Sequence, residues 1–153
     1  MKISGLVISA LFLFSAWAAQ ASSIQPGLTP GVLCTVQDPD FQSLDYAEQI
    51  PRCIRNVSQA EKFRIAAAYG GIPQSDWSKY EFDHLLPLCA GGSDAIGNVW
   101  PEPIAEAHEK DKLENAICRE MRAGRMTQAQ AIQKIYDFMN AQLEQAGRTI
   151  PGF

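Results

Sequence analysis

The sequence predicts a small α+β domain stapled by disulfides, on three observations. An apolar run, a glycine turn, a second short apolar run and a long half-apolar stretch follow one another over residues 80–122. Two capping-box signatures, Ser58-Gln59-Ala60-Glu61 and Thr127-Gln128-Ala129-Gln130, open further helices. Four cysteines occur in a chain whose first residues read as an export signal.

In that signal Lys2 supplies the positive start and Ile3–Trp17 is apolar or small. Ala19-Gln20-Ala21 then fits an A-x-A cleavage site. Residues 1–21 are therefore expected to be a signal peptide, and the mature chain is expected to begin near Ser22, secreted or periplasmic. The apolar run falls short of the roughly 20 residues that span a bilayer. No later segment is apolar enough to do so, and no membrane contact is expected after signal removal.

About 130 residues then remain, enough for one ordinary core. Loss of Lys2 takes the formal charge from -4 to -5. Bulk affinity for nucleic acid draws on lysine and arginine, so the acidic balance argues against a DNA-coating protein. It does not oppose an enzyme that touches a few phosphates and releases them.

Residues 22–56, rich in Pro, Gly, Asp and Ser, are expected to be an irregular N-terminal arm held by a disulfide. Residues 57–153 form the main domain. Its first helix starts at the Ser58 capping box and stops at Gly70-Gly71. Pro73–Ser78 reads as a turn. Tyr80–Leu88 reads as a buried strand ending near Pro87, and Gly91-Gly92-Ser93-Asp94 as the turn after it. A short strand, Asn98–Trp100, is expected to stop at Pro101 and Pro103. Ile104–Arg122 follows as a half-buried helix with Leu113, Ala116, Ile117 and Met121 inward, and Gly124 ends it. The C-terminal helix, 127–146, carries Ile132, Ile135, Tyr136, Met139 and Leu143 on one stripe.

In an oxidising compartment an even cysteine count favours disulfides, and four cysteines allow three pairings. Cys34–Cys53 with Cys89–Cys118 is preferred because each closes a modest loop, worth roughly 3 kcal/mol by chain entropy. No pair has the C-x-x-C spacing of a structural zinc site.

Chemistry concentrates in Tyr80–Lys112, which holds both histidines of the chain, His84 and His108. Asp83-His84-Leu85, Pro87, Gly91-Gly92, then Asn98-Val99-Trp100-Pro101-Glu102 and His108-Glu109-Lys110-Asp111-Lys112 occur in that order. This series resembles the HNH endonuclease family, in particular its small exported bacterial members. The resemblance covers about Tyr80 to Ile117, motif region 80–117, and implies a ββα-metal core with flanking helices. It also implies that His84 is the general base, that Asn98 braces the loop and orients that base, and that Asp83 and His108 hold one divalent ion. The family's usual spacing falls on Ala107, which cannot bind metal, so the helix is taken to start one residue later. Glu109 and Asp111 stand as alternative ligands. Lys110 and Lys112 are expected to contact substrate phosphates.

Magnesium suits a site rich in carboxylate and phosphate, while imidazole also suits zinc, manganese or nickel. The expected substrate is DNA or RNA, cut with low sequence specificity because few aromatics flank the motif. The competing expectation is an inactive, disulfide-stapled binding or structural module that keeps the fold. His108-Glu109-x-x-Lys112 also approaches the zinc-protease H-E-x-x-H, but lysine replaces the second histidine.

Overall fold

A computed structural model describes residues 23–147 and 152–153. The expected signal peptide lies outside the described residues. The chain is mixed α+β, with two small antiparallel sheets. Its elements are β1 (Phe41–Asp45), β2 (Ile50–Cys53), α1 (Gln59–Ala68), β3 (Tyr80–His84), β4 (Val99–Pro103), α2 (Ile104–Arg122) and α3 (Gln128–Gln145), with short 3-10 turns between.

Helices begin where local chemistry says they should. The Ser58 side chain accepts from Glu61 N and the Glu61 carboxylate accepts from Ser58 N, which satisfies two orphan donors of α1. Thr127 and Gln130 do the same for α3. The α3 stripe is buried through Ala131, Ile135, Met139 and Leu143. On α2 the inward stripe is Ala107, Lys110, Ile117 and Met121, with Leu113 and Ala116 only partly covered.

The arm is not irregular throughout. β1 and β2 form a hairpin, with Asp45 opposite Ile50. Its turn places Tyr46 and Gln49 at positive φ, 62° and 55°, without the glycine or asparagine that normally marks such a turn. The motif strands also differ from expectation. β3 ends at His84, and β4 runs through both prolines to Pro103, with Phe82 opposite Pro101 and Tyr80 opposite Pro103. The prolines are two residues apart, so their missing donors fall on one edge of a two-stranded ribbon and no ladder bond is lost.

Both expected disulfides are present, Cys34–Cys53 with Cα atoms 5.8 Å apart and Cys89–Cys118 at 5.6 Å. The second joins the loop after β3 to α2. The core lies between the β3–β4 ribbon and the helices, where Ile65, Leu85, Leu86, Trp100, Ile117 and Ile135 are fully covered. Against this base the β3–β4 loop folds tightly. A Cβ on Gly92 would lie 1.8 Å from the Leu86 carbonyl oxygen, so only glycine lets the backbone pass.

Candidate active site

β3 ends on Asp83 and His84, and strand alternation sends them to opposite sides. His84 is buried, 3% exposed. Its Nε2 lies 2.6 Å from Asp94 Oδ1, and its Nδ1 lies 3.2 Å from the Arg55 guanidinium. A guanidinium can only donate, so Nδ1 is the acceptor and Nε2 carries the proton toward Asp94. Burial holds the His84 pKa below the ordinary imidazole value, and Arg55 adds to that. The Asp94 hydrogen bond and the nearby carboxylates pull the other way without reversing it. The imidazole is therefore neutral at pH 7, with a lone pair on Nδ1.

Asp94 is held in turn by the backbone N–H of Asn56, 2.5 Å from its Oδ2. Asn98 is fully buried and closes the loop from within. It accepts from Leu86 N at 2.9 Å and donates to the carbonyls of Leu86 and Ser93 at 3.1 and 2.8 Å. The segment carrying Asp94 is thus tied to the segment following His84.

On the other side of β3, Asp83 receives Arg55 at 3.1 Å and Lys110 at 2.5 Å. Burial opposes its charged form, but the Lys110 ammonium and the hydrogen bonds from Lys110 and Arg55 outweigh that and hold its pKa below the usual range. Lys110 itself is 1% exposed, with Glu114 at 2.6 Å and Glu102 at 3.4 Å. Burial would discharge it, but the three carboxylates around it keep it firmly charged. Burial pushes Glu102 up to about 8 and Glu114 up to about 7, the Lys110 charge only partly offsetting the effect.

Ligand atoms of Asp83, Asp111 and Glu114 all lie within 4.8 Å of one another. With Glu102 these are four carboxylates near two cations, Lys110 and Arg55, and the cluster reaches two excess negative charges only once Glu102 and Glu114 have lost their protons above pH 8. Glu102 Oε2 and Glu114 Oε1 are buried and receive no well-directed hydrogen bond, although Lys110 is close to both. The oxygen donors fit a hard divalent cation, whose charge would displace the protons that Glu102 and Glu114 hold without it. A second grouping, Cys34, Asp38 and Cys53, offers no thiolate because its two cysteines are bonded to each other.

Two expected assignments need correction. His108 is exposed on α2 and does not join the group around Asp83. The helix turns Ala107, Lys110 and Glu114 inward and leaves position 108 outside, and the α2 carboxylates near Asp83 are those of Glu114 and of Asp111, itself exposed. Lys110 is not a surface contact for phosphate but the buried centre of the carboxylate cluster. Lys112 is exposed and pairs with Glu109 at 2.7 Å.

Sequence reasoning missed Arg55 and Asp94. Asp94 stands in Gly91-Gly92-Ser93-Asp94, where its residue type signals a turn and nothing local points to His84. Arg55 lies in the arm, 29 residues before His84, and only the tertiary fold brings it there. Glu114 had a local signal, since it sits four residues after Lys110 on the same helix face. No protein-family model matches the chain, and comparison with curated proteins and with solved structures finds no match.

Proposed function

We propose that the chain is an exported, metal-dependent endonuclease of the HNH type that hydrolyses phosphodiester bonds of DNA or RNA. The observation that carries this reading is a buried neutral imidazole beside a cluster of carboxylates, joined to it by Arg55. In this reading Asp83, Asp111 and Glu114 would hold one divalent ion, which would supply Lewis-acid stabilisation of charge on the phosphate oxygens.

The remaining chemistry belongs to the chain. When the Arg55 N–H turns from it to a phosphate oxygen, His84 Nδ1 is free to remove a proton from the attacking water as the bond from phosphorus to the leaving oxygen breaks and that oxygen is protonated by solvent. Asp94 stabilises the imidazolium that forms, as a carboxylate does for any histidine base. Arg55 is placed to donate to a phosphate oxygen while keeping its bond to Asp83. Asn98 holds the loop so that Asp94 meets Nε2. Lys110 keeps Asp83 ionised and Glu114 turned inward.

Two disulfides suit an oxidising compartment, and no helix among the described residues is long and apolar enough to cross a membrane. The second reading is an inactive module with the same fold. In its favour, the Lys110 ammonium already contacts Asp83 and Glu114, so part of the cluster is compensated without metal.

Digestion of plasmid and of RNA by the mature protein, with magnesium, manganese or zinc and with EDTA, separates the two. Cleavage that EDTA abolishes, and that His84→Ala removes from a folded protein, is the expected result. Unchanged cleavage by His84→Ala overturns the mechanism, and no cleavage with any metal favours the inactive module.

A further inference from the structure

Arg55 does not only face the catalytic histidine. Its other flank lines an open groove of about 390 Å³, walled by α1 through Gln59 and Lys62 and by Trp77, Tyr80 and Phe82. Trp77 packs between Phe63 and Phe82, each ring centroid 4.9 Å from its own, at interplanar angles of 54° and 66°. Its indole N–H is anchored on the Ile72 carbonyl at 3.3 Å, which fixes the ring. Lys62 Nζ stands 5.8 Å from the centre of the Phe82 ring. Phe63 and Ile104 leave much of their apolar surface in water, at 48% and 53% exposure. Rigid aromatic surface, two cations and one acid, Glu81, therefore meet beside the catalytic residues of a protein whose net charge is negative.

We infer that this groove holds an unpaired stretch of nucleic acid next to the bond being cut, with one or two bases against the Trp77–Tyr80 surface and the backbone along Lys62 and Arg55. The choice of ligand rests on the nuclease reading above. The choice of single strand rests on shape and charge. A duplex hides the faces of its bases inside the stack, whereas an unpaired base offers a face that an aromatic side chain covers. The local positive charge of Arg55 and Lys62 complements a phosphodiester backbone, and Arg55 belongs to both groove and site. A base held in the groove thus fixes the position of its neighbouring phosphate relative to His84. Stacking tolerates any base, which agrees with low sequence specificity.

The test is binding to the full mature protein carrying His84→Ala, in EDTA, read by fluorescence anisotropy. The probes are a labelled eight-nucleotide oligothymidylate, the same oligomer with abasic sites at its centre, and a duplex of equal length. We expect the oligothymidylate to bind about tenfold more tightly than the abasic oligomer, and Tyr80→Ala to remove most of that difference. Lys62→Gln should lower the slope of log affinity against log salt by about 0.7, the value of one single-strand phosphate contact. Tyr80 is half-buried and outside the core cluster, so its truncation leaves the core in place, and circular dichroism confirms the fold.

Equal affinity for thymidylate and abasic oligomer overturns the inference, as does tighter binding of the duplex that Tyr80→Ala leaves unchanged. Cleavage of plasmid by the wild type, together with either of those results, leaves the nuclease reading standing while the groove falls. Base-dependent binding by a protein that cuts nothing keeps the groove and sinks the nuclease.

Discussion

His84 Nε2 and Asp94 Oδ1 lie 2.6 Å apart, both buried, with Asp94 fixed from behind by the Asn56 amide. The pair sets the histidine tautomer and leaves Nδ1 as the atom able to take a proton. Asp94→Asn keeps the size and removes the charge that stabilises the imidazolium. Its kcat should fall by roughly 10²–10⁴ at pH 7, the usual worth of an oriented general base, with little change in KM. A full-activity Asp94→Asn protein would remove Asp94 from the mechanism.

The ligands proposed on α2 are separable by single substitutions. Asp111→Asn should raise the magnesium concentration for half-maximal cleavage about tenfold or more, as loss of a ligating or supporting group does. His108→Ala should leave that concentration where it was. The reverse pattern in a metal titration would return His108 to the site.

Glu102 and Glu114 make stability depend on pH. Their folded pKa values, about 8 and about 7, are raised above the ordinary carboxylate range, so the folded state holds protons that the unfolded state has lost. Their contribution is complete below the unfolded value and disappears as pH rises through the folded one. In EDTA, urea midpoints should therefore drop between pH 5.5 and 8.5, and Glu102→Gln should flatten the fall. His84, with a lowered pKa, acts in the opposite sense and weakens the fold as pH drops below the ordinary imidazole value. Magnesium should raise the midpoint more at pH 8.5 than at pH 5.5. A flat profile in EDTA would mean that the cluster is better solvated than its burial indicates.

Lys110→Met tests the centre of that cluster. Removing one partner of a buried ion pair costs about 3–5 kcal/mol, because the remaining charges are left uncompensated. Urea unfolding should show a loss of that size, partly recovered by divalent cation. A loss below 1 kcal/mol would make the ammonium dispensable.

Gly92→Ala tests the loop. The new methyl would collide with the Leu86 carbonyl and crowd the Asn98 amide, both of them hydrogen-bonded and unable to yield cheaply. A destabilisation of about 1–3 kcal/mol is expected, with cleavage falling further than the folded fraction. Equal losses in both would confine Gly92 to stability.

Features encoded within a few residues were legible in the sequence. Ser58 and Thr127 mark their helices because a cap and its partner lie three residues apart. The strand–loop–strand–helix order was legible, and so was the disulfide pairing. The β1–β2 hairpin was not, because Tyr46 and Gln49 take positive φ without the residues that advertise it. β4 runs through Pro101 to Pro103 because an edge forgives a missing donor. The candidate site divides along the same line. Asp83, His84 and Asn98 stand in the motif, whereas Arg55 and Asp94 reach His84 only through the fold. His108 lies off the inward stripe of positions 107, 110, 117 and 121, one helical step of about 100° from Ala107. That Lys110 lies on this stripe was the clue.

Cys89–Cys118 joins the loop that carries Asp94 and Asn98 to the helix that carries Lys110, Asp111 and Glu114. The two walls of the site are thus sewn together by a bond that reducing cytosol does not sustain. A chain that cuts nucleic acid would carry, in that one stitch, a safeguard for the cell that makes it. Its tools would be clamped in place only after they had left the chromosome behind.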